Sequence, residues 1–231
     1  MGTSGARVAV DAVVFDVNET LSDMAPMAGR FSDLGAPEDL APLWFASVLR
    51  DGFALTAAGR SEPFAAIAAG VLRGMLAGRD IDRDPDAAVA HVMAGFMGLS
   101  VHPDIPPGVA ALADAGLRLV TFSNGSAEVA ERLLVAAGLR DRFERCLSVD
   151  DAGAWKPDRR AYAYAAEACA LDPARMLMVA VHPWDIDGAA RAGLRTAWIS
   201  REGGPYPGHF RAPDLTVAGL GELAARLAAP G

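Results

Sequence analysis

Four sets of polar residues stand where apolar runs of this chain end. Asp16 follows VAVDAVVF, Ser123, Asn124 and Gly125 close LRLVTF, Lys156 comes shortly after RCLSV, and His182 and Asp185 follow RMLMVAV. A carboxylate, an ammonium, and an imidazole with a second carboxylate can together run covalent hydrolysis. In such a set a carboxylate could attack an electrophilic carbon and form an ester. An ammonium beside it keeps it ionised and offsets charge in the transition state. The imidazole then takes a proton from the water that cleaves the ester, with Asp185 expected to orient the ring of His182. Each residue also has a plainer reading: a capping Asp16, an Asn-Gly turn at Asn124, a solvated Lys156, a packed His182 before Pro183.

The elements that must position these residues follow from hydrophobic periodicity. The run from Val8 to Phe15 is near-continuously apolar and β-rich, as in a strand buried on both faces of a parallel sheet. Ligands of open α/β sheets bind just beyond such strand ends, where Asp16 stands. After Pro106-Pro107 strands and helices alternate: GVAALADAG helical, LRLVTFS a strand, SAEVAERLLVAAG a helix from a Ser126 cap to a Gly138 stop, RCLSV a strand. PDRRAYAYAAEACA is a predicted helix with Pro157 in its first turn, RMLMVAV a strand, DIDGAARAG a helix, RTAWIS a strand and GELAARLAA a closing helix. Between these parts, LAPLWFASVLRDGFAL, EPFAAIAAGVLRGMLAG and PDAAVAHVMAGFMGL repeat at helical spacing, giving an insertion of about four helices. The predicted class is α/β, with a parallel-sheet core from 1–21 and 101–231 and an all-helical unit at 22–100. Inserted after Asp16, that unit would sit over the carboxylate as a lid.

FDVNETL, TFSNGS, SVDDAGAWKPDRRAY and VAVHPWDIDGA, in this order, resemble the four motif regions of the haloacid dehalogenase superfamily, and the branch they are most similar to is the type II L-2-haloacid dehalogenases. The resemblance covers nearly the whole chain and is strongest from Leu117 to Arg201. It implies a Rossmann-like core with a helical cap, Asp16 as nucleophile and Lys156 beside it. It also implies a Thr20 hydroxyl that holds Asp16, Ser123 and Asn124 at the substrate carboxylate or nucleophile, and Tyr162 at a pocket group. The implied reaction is dehalogenation of a small carboxylic acid.

The departures from the family pattern bear on substrate and cofactor. Superfamily phosphatases carry a second acid two residues after the nucleophile and a Mg²⁺-holding acid after the fourth strand; here these positions are Asn18 and Val181. The resemblance therefore implies no metal and no cofactor. A Mg²⁺-dependent phosphatase, the alternative, would need Asp150, Asp185 or Asp187 to rebuild a site. Type II dehalogenases carry Tyr-Gly where this chain has Asn18-Glu19. Their halide-binding Arg, next to a Trp, is replaced by Phe45 after Trp44, with Arg50 five residues on as the candidate substitute. Ala180 and His182 stand where a Ser and an Asn are usual. The His-x-x-Asp arrangement resembles epoxide-opening members such as cis-epoxysuccinate hydrolase, and members that open a four-membered cyclic amino acid belong to the same branch. An epoxide or strained ring is thus a second candidate substrate. Trp184 and Trp155 flank the motifs and can wall a pocket.

Composition narrows the partners. The 231 residues carry a net charge of −8 without a Lys/Arg cluster, which disfavours nucleic acid but not a small anionic substrate. The two cysteines, Cys146 and Cys169, fit neither a zinc site nor a disulfide framework. No apolar run reaches the ~18 residues of a membrane span, and the segment MGTSGARVAV lacks the features of a signal peptide, so a cytoplasmic location is expected. A homodimer is implied by the resemblance alone. A non-catalytic binding protein that kept the fold is the remaining alternative, and the intact Asp16, Lys156 and Asp185 speak against it.

Overall fold

The computed structural model describes residues 10–228. The first two residues of the predicted first strand, Val8 and Ala9, and most of the segment read for a signal peptide lie outside this range. In chain order the elements are β1 (Ala12–Phe15), α1 (Met27–Ser32), α2 (Leu40–Ala57), α3 (Phe64–Leu76), α4 (Pro85–Met97), α5 (Ile105–Asp114), β2 (Arg118–Ser123) and α6 (Ala127–Ala136). They continue with β3 (Arg145–Ser148), α7 (Val149–Ala152), α8 (Arg159–Cys169), β4 (Met176–Ala180), α9 (Pro183–Ala192), β5 (Arg195–Ile199), β6 (Leu215–Val217) and α10 (Leu220–Ala228).

The strands form one parallel sheet in the order β3-β2-β1-β4-β5-β6. β1 lies between β2 and β4, where the chain reverses its direction of travel across the sheet, and a crevice opens at such a point beyond the strand ends. All four residues of β1 are buried. Their alternation sends Val13 and Phe15 to one face, against Ile105 of α5, Leu134 of α6 and Leu220 of α10. Val14 goes to the other face, with Tyr162 of α8 and Ile186 of α9. Both faces being covered explains why the strands read as continuous apolar runs.

α1–α4 pack on one another around Phe31, Trp44, Phe64 and Phe96; Trp44 meets Phe96 edge-on at 5.7 Å between centroids, and Phe64 stacks on Phe96 at 5.1 Å. The chain leaves for these helices and returns through adjacent segments, joined by an antiparallel Ser22–Val101 bridge. The helices rest on the sheet unit through Trp155, which stacks on Phe64 at 6.0 Å and donates its indole N–H to the Glu62 carbonyl. Gly52 of α2 permits that approach, since a Cβ there would lie 2.3 Å from the Trp155 ring.

One predicted boundary moves and one strand is added. Pro157 does not open α8: the Asp158 carboxylate caps it by accepting from the Arg160 N–H, so the helix begins at Arg159. β6 has three residues at the sheet edge, too short to show a period in sequence. Cys146 and Cys169 are both free thiols, as expected.

Candidate active site

The parallel sheet gathers its polar strand ends at one edge. Asp16 follows β1, Ser123 ends β2 with Asn124 next, Lys156 follows β3 and α7, and His182 follows β4. Asp16 is buried with both carboxylate oxygens engaged. Oδ2 accepts from the Thr20 hydroxyl at 2.8 Å and faces His182 Nδ1 at 2.9 Å, and Oδ1 accepts from Lys156 Nζ at 3.0 Å. Thr20 Oγ1 accepts in turn from the Val181 N–H at 3.1 Å, tying the loop after β1 to the end of β4. Burial alone would raise the Asp16 carboxyl, but the charge of Lys156 and the His182 contact outweigh it and hold the group far below the usual carboxylate range. It is an ionised carboxylate in a buried setting.

Lys156 is fully buried and uses all three N–H donors: on Asp16, on the Phe122 carbonyl at 2.9 Å and on Asp185 Oδ2 at 2.6 Å. Burial disfavours its charge, yet the carboxylates of Asp16 and Asp185 prevail and raise it above the ordinary lysine value. Asn124 fixes its backbone: Asn124 Oδ1 accepts the Lys156 N–H at 2.9 Å and Nδ2 donates to the Lys156 carbonyl at 3.3 Å. The other oxygen of Asp185 accepts from the Tyr162 hydroxyl at 2.7 Å. Burial, followed by the charge of Asp185, pushes the Tyr162 phenol well above its usual value, so it stays a donor. For Asp185, burial and the charge of Asp16 push the carboxyl up against the pull of Lys156 and Tyr162.

The expected pairing of His182 with Asp185 is therefore corrected. His182 is the N-cap of α9 and its ring turns back to the loop after β1, whereas Asp185, in the first turn, faces inward onto α8. The second partner of His182 is Glu19, whose carboxylate lies 2.8 Å from Nε2. Burial lowers the charged form of the ring, but contacts with Asp16 and Glu19 outweigh it and push His182 up to about 9. Sequence reasoning passed over Glu19 as a departure from a Tyr-Gly pair. Its signal is the backbone: φ is +61°, in the left-handed region that a Cβ disfavours.

The remaining residues divide. Phe45 is buried and its ring centroid lies 6.2 Å from that of His182. Trp184 stacks on His182 at 4.9 Å and meets Phe53 of α2 edge-on at 5.0 Å, and Lys156 Nζ lies 6.0 Å from the Trp184 ring. A cavity of about 220 Å³ opens beside them, with Glu19, Met24, Ala41 and Phe45 in its wall. Ser123 is buried; its Oγ accepts from the Gly125 N–H at 2.8 Å, leaving its own O–H as a donor.

Two expected substrate contacts are corrected. Arg50 is 70% exposed in its side chain and pairs with Asp51 at 2.8 Å. Five residues from Phe45 is about 140° around a helix, so the face that shows Phe45 to the site turns Arg50 outward. Trp44 is fully buried among α1–α4 and donates its indole N–H to the Ala68 carbonyl, which places it in the core of those helices. Among the described residues, no group of three or more His, Cys, Asp or Glu side chains is arranged to hold a metal ion. No helix of the described residues is long and apolar enough to cross a membrane.

Residues 10–193 match the model of the haloacid dehalogenase-like hydrolases, and the chain belongs to that family. It is 30% identical over 214 residues to an (S)-2-haloacid dehalogenase of Pseudomonas sp. (strain YL), a match covering 91% of each chain. The solved structure of an L-2-haloacid dehalogenase superimposes with a TM-score of 0.89 at 31% identity, covering 96% of this chain and all of the other. The structure of the L-2-haloacid dehalogenase of Xanthobacter autotrophicus with chloropropionic acid covalently bound gives a TM-score of 0.83 at 25% identity, over 94% of this chain and 97% of that one.

Proposed function

We propose that this protein is a hydrolase that cleaves a carbon–halogen bond of a small carboxylic acid through an ester on Asp16. The observation that carries this reading is a buried carboxylate kept ionised by Lys156 at 3.0 Å and held in place by Thr20 and His182 at the end of β1. Relatives spanning the same length, whose names specify 2-haloacid dehalogenation, support it.

Asp16 displaces halide from the carbon next to the substrate carboxylate, giving an ester and X⁻. Water then attacks the ester carbonyl, its proton passes to His182, and the alcohol leaves while the Asp16 carboxylate reforms. Lys156 steadies the carboxylate and the negative charge that builds during ester cleavage. Ser123 donates to the substrate carboxylate, and Phe45 with Trp184 forms an apolar wall. The α1–α4 helices act as the cap over Asp16, joined to the sheet unit beside the Ser22–Val101 bridge. The reaction requires no metal, because the ammonium of Lys156 performs the charge stabilisation.

A second reading is opening of an epoxide or strained ring next to a carboxylate. Phe45 and His182 favour it specifically. The Phe45 position offers no cation for a departing halide, while a protonated His182 beside Asp16 can protonate a ring heteroatom as it leaves. A panel of 2-haloacids, epoxy-acids and phosphate esters, assayed with and without EDTA, separates these reactions. Halide release from (S)-2-chloropropanoate that is indifferent to EDTA is the expected result. Turnover confined to epoxy-acids would install the second reading. Phosphate release that requires Mg²⁺ would overturn both.

A further inference from the structure

Glu19 stands at a backbone position that favours glycine. Its φ of +61° is rarely taken by a residue with a Cβ, and its side chain makes a directed contact with His182 Nε2 at 2.8 Å. The loop is held in that shape from outside: the Glu19 carbonyl lies 3.1 Å from His102 Nε2, and Thr20 is pinned to Val181. Non-glycine residues kept in this conformation tend to occur where the side chain is needed at a site. The His182 ring is thus clamped between two carboxylates, with Nδ1 on Asp16 and Nε2 on Glu19, and the Trp184 ring stacks on its face.

We propose that Glu19 is a positioning residue that sets the tautomer of His182 for the ester-cleavage step. A neutral imidazole has one N–H, and the stronger acceptor keeps it. In the resting site both nitrogens face carboxylates and both donate. Alkylation of Asp16 removes the charge at Nδ1, and the carboxylate of Glu19 becomes the stronger acceptor. The proton stays on Nε2 and leaves from Nδ1, whose lone pair then points at the carbonyl that water must attack.

The protons balance. For a haloacid the overall reaction releases one H⁺, and the proton lost from Nδ1 is that H⁺. In the second step water gives one hydrogen to Nδ1 and the other to the departing alcohol, which restores the imidazolium and the Asp16 carboxylate. Glu19 and His182 also line a cavity of about 410 Å³ with Trp198 and Arg201 in its wall.

This role rests on the ester reading of Asp16, and two measurements separate the two claims. In Asp16→Asn protein the charge at Nδ1 is already gone. Histidine-selective ¹⁵N NMR is expected to show neutral His182 protonated on Nε2, and Asp16→Asn/Glu19→Gln protein is expected to shift the proton wholly or partly to Nδ1. The same tautomer in both overturns the proposal. In the second measurement, Glu19→Gln protein is mixed with (S)-2-chloropropanoate and followed by intact-mass spectrometry. Ester formation at the wild-type rate with cleavage slowed at least about tenfold is expected. Unchanged rates for both steps overturn the role of Glu19. Glu19→Gly, which suits the backbone, is the second variant if Glu19→Gln folds poorly. If the tautomer depends on Glu19 but neither wild type nor variant forms an adduct or releases halide, the assignment of Glu19 to ester cleavage is overturned together with the halide reading, and only the coupling of Glu19 to His182 stands.

Discussion

Lys156 has three donors, and the site uses all of them on Asp16, Asp185 and the Phe122 carbonyl. Replacing it by Met removes the cation that Asp16 and Asp185 share and leaves Asp185 with no buried positive partner. Removing one partner of a buried pair typically costs about 3–5 kcal/mol. Lys156→Met is expected to lose stability on that order in urea denaturation and to lose kcat by at least about 100-fold. His182 gives a pH signature. Its raised value, about 9 against 6.5, means it stabilises the fold fully below pH 6.5 and loses that contribution as pH rises through about 9. Thermal melts should therefore show wild type and His182→Asn converging between those pH values; a constant gap would refute the clamped imidazolium. Asp16 and Lys156 were legible in sequence because both follow strand ends. Asp185 was expected in the strand-end cluster, where it lies, but its partners are Lys156 and Tyr162 and not His182. Three residues after His182 suggests a neighbour, yet the N-cap ring and the first-turn carboxylate of α9 point to different elements. Glu19 was not legible, because a loop glutamate carries no period and its left-handed backbone emerges only from the fold.

At the scale of elements, the site depends on α8 and α9 meeting closely. Gly188 of α9 lies where a Cβ would come within 2.5 Å of the Tyr162 hydroxyl, the group that holds Asp185. Gly188→Ala is expected to displace Tyr162, lower kcat and cost about 1–3 kcal/mol of stability. Tyr162→Phe keeps the packing and leaves one oxygen of Asp185 unbonded, costing about 1–3 kcal/mol. A Gly188→Ala protein with wild-type kcat would show that Asp185 is held without Tyr162. The strand–helix alternation was readable from periodicity because both sheet faces are covered and the strands are apolar throughout. The start of α8 was misplaced by two residues, because Pro157 suits a first helical turn as well as the residue before a cap. The register of α2 was not readable: which face carries Phe45 and which Arg50 is set by packing on the sheet unit.

For the whole molecule, the contact between α1–α4 and the sheet unit runs through the residue beside Lys156. Trp155 binds Glu62 and Thr56 through its two N–H groups and fills the space left by Gly52. Gly52→Ala should push Trp155 aside and transmit the shift to Lys156, so kcat is expected to fall without loss of the native circular-dichroism spectrum. An unchanged kcat would mean that the helices and Lys156 are mechanically independent. The direct test of the ester on Asp16 is a single turnover in H₂¹⁸O with enzyme in excess over (S)-2-chloropropanoate, followed by mass analysis of the peptide containing Asp16. Water that attacks the ester carbonyl leaves ¹⁸O in the Asp16 carboxylate and ¹⁶O in the product hydroxyl. That is the expected result; ¹⁸O in the product with none in Asp16 would contradict it.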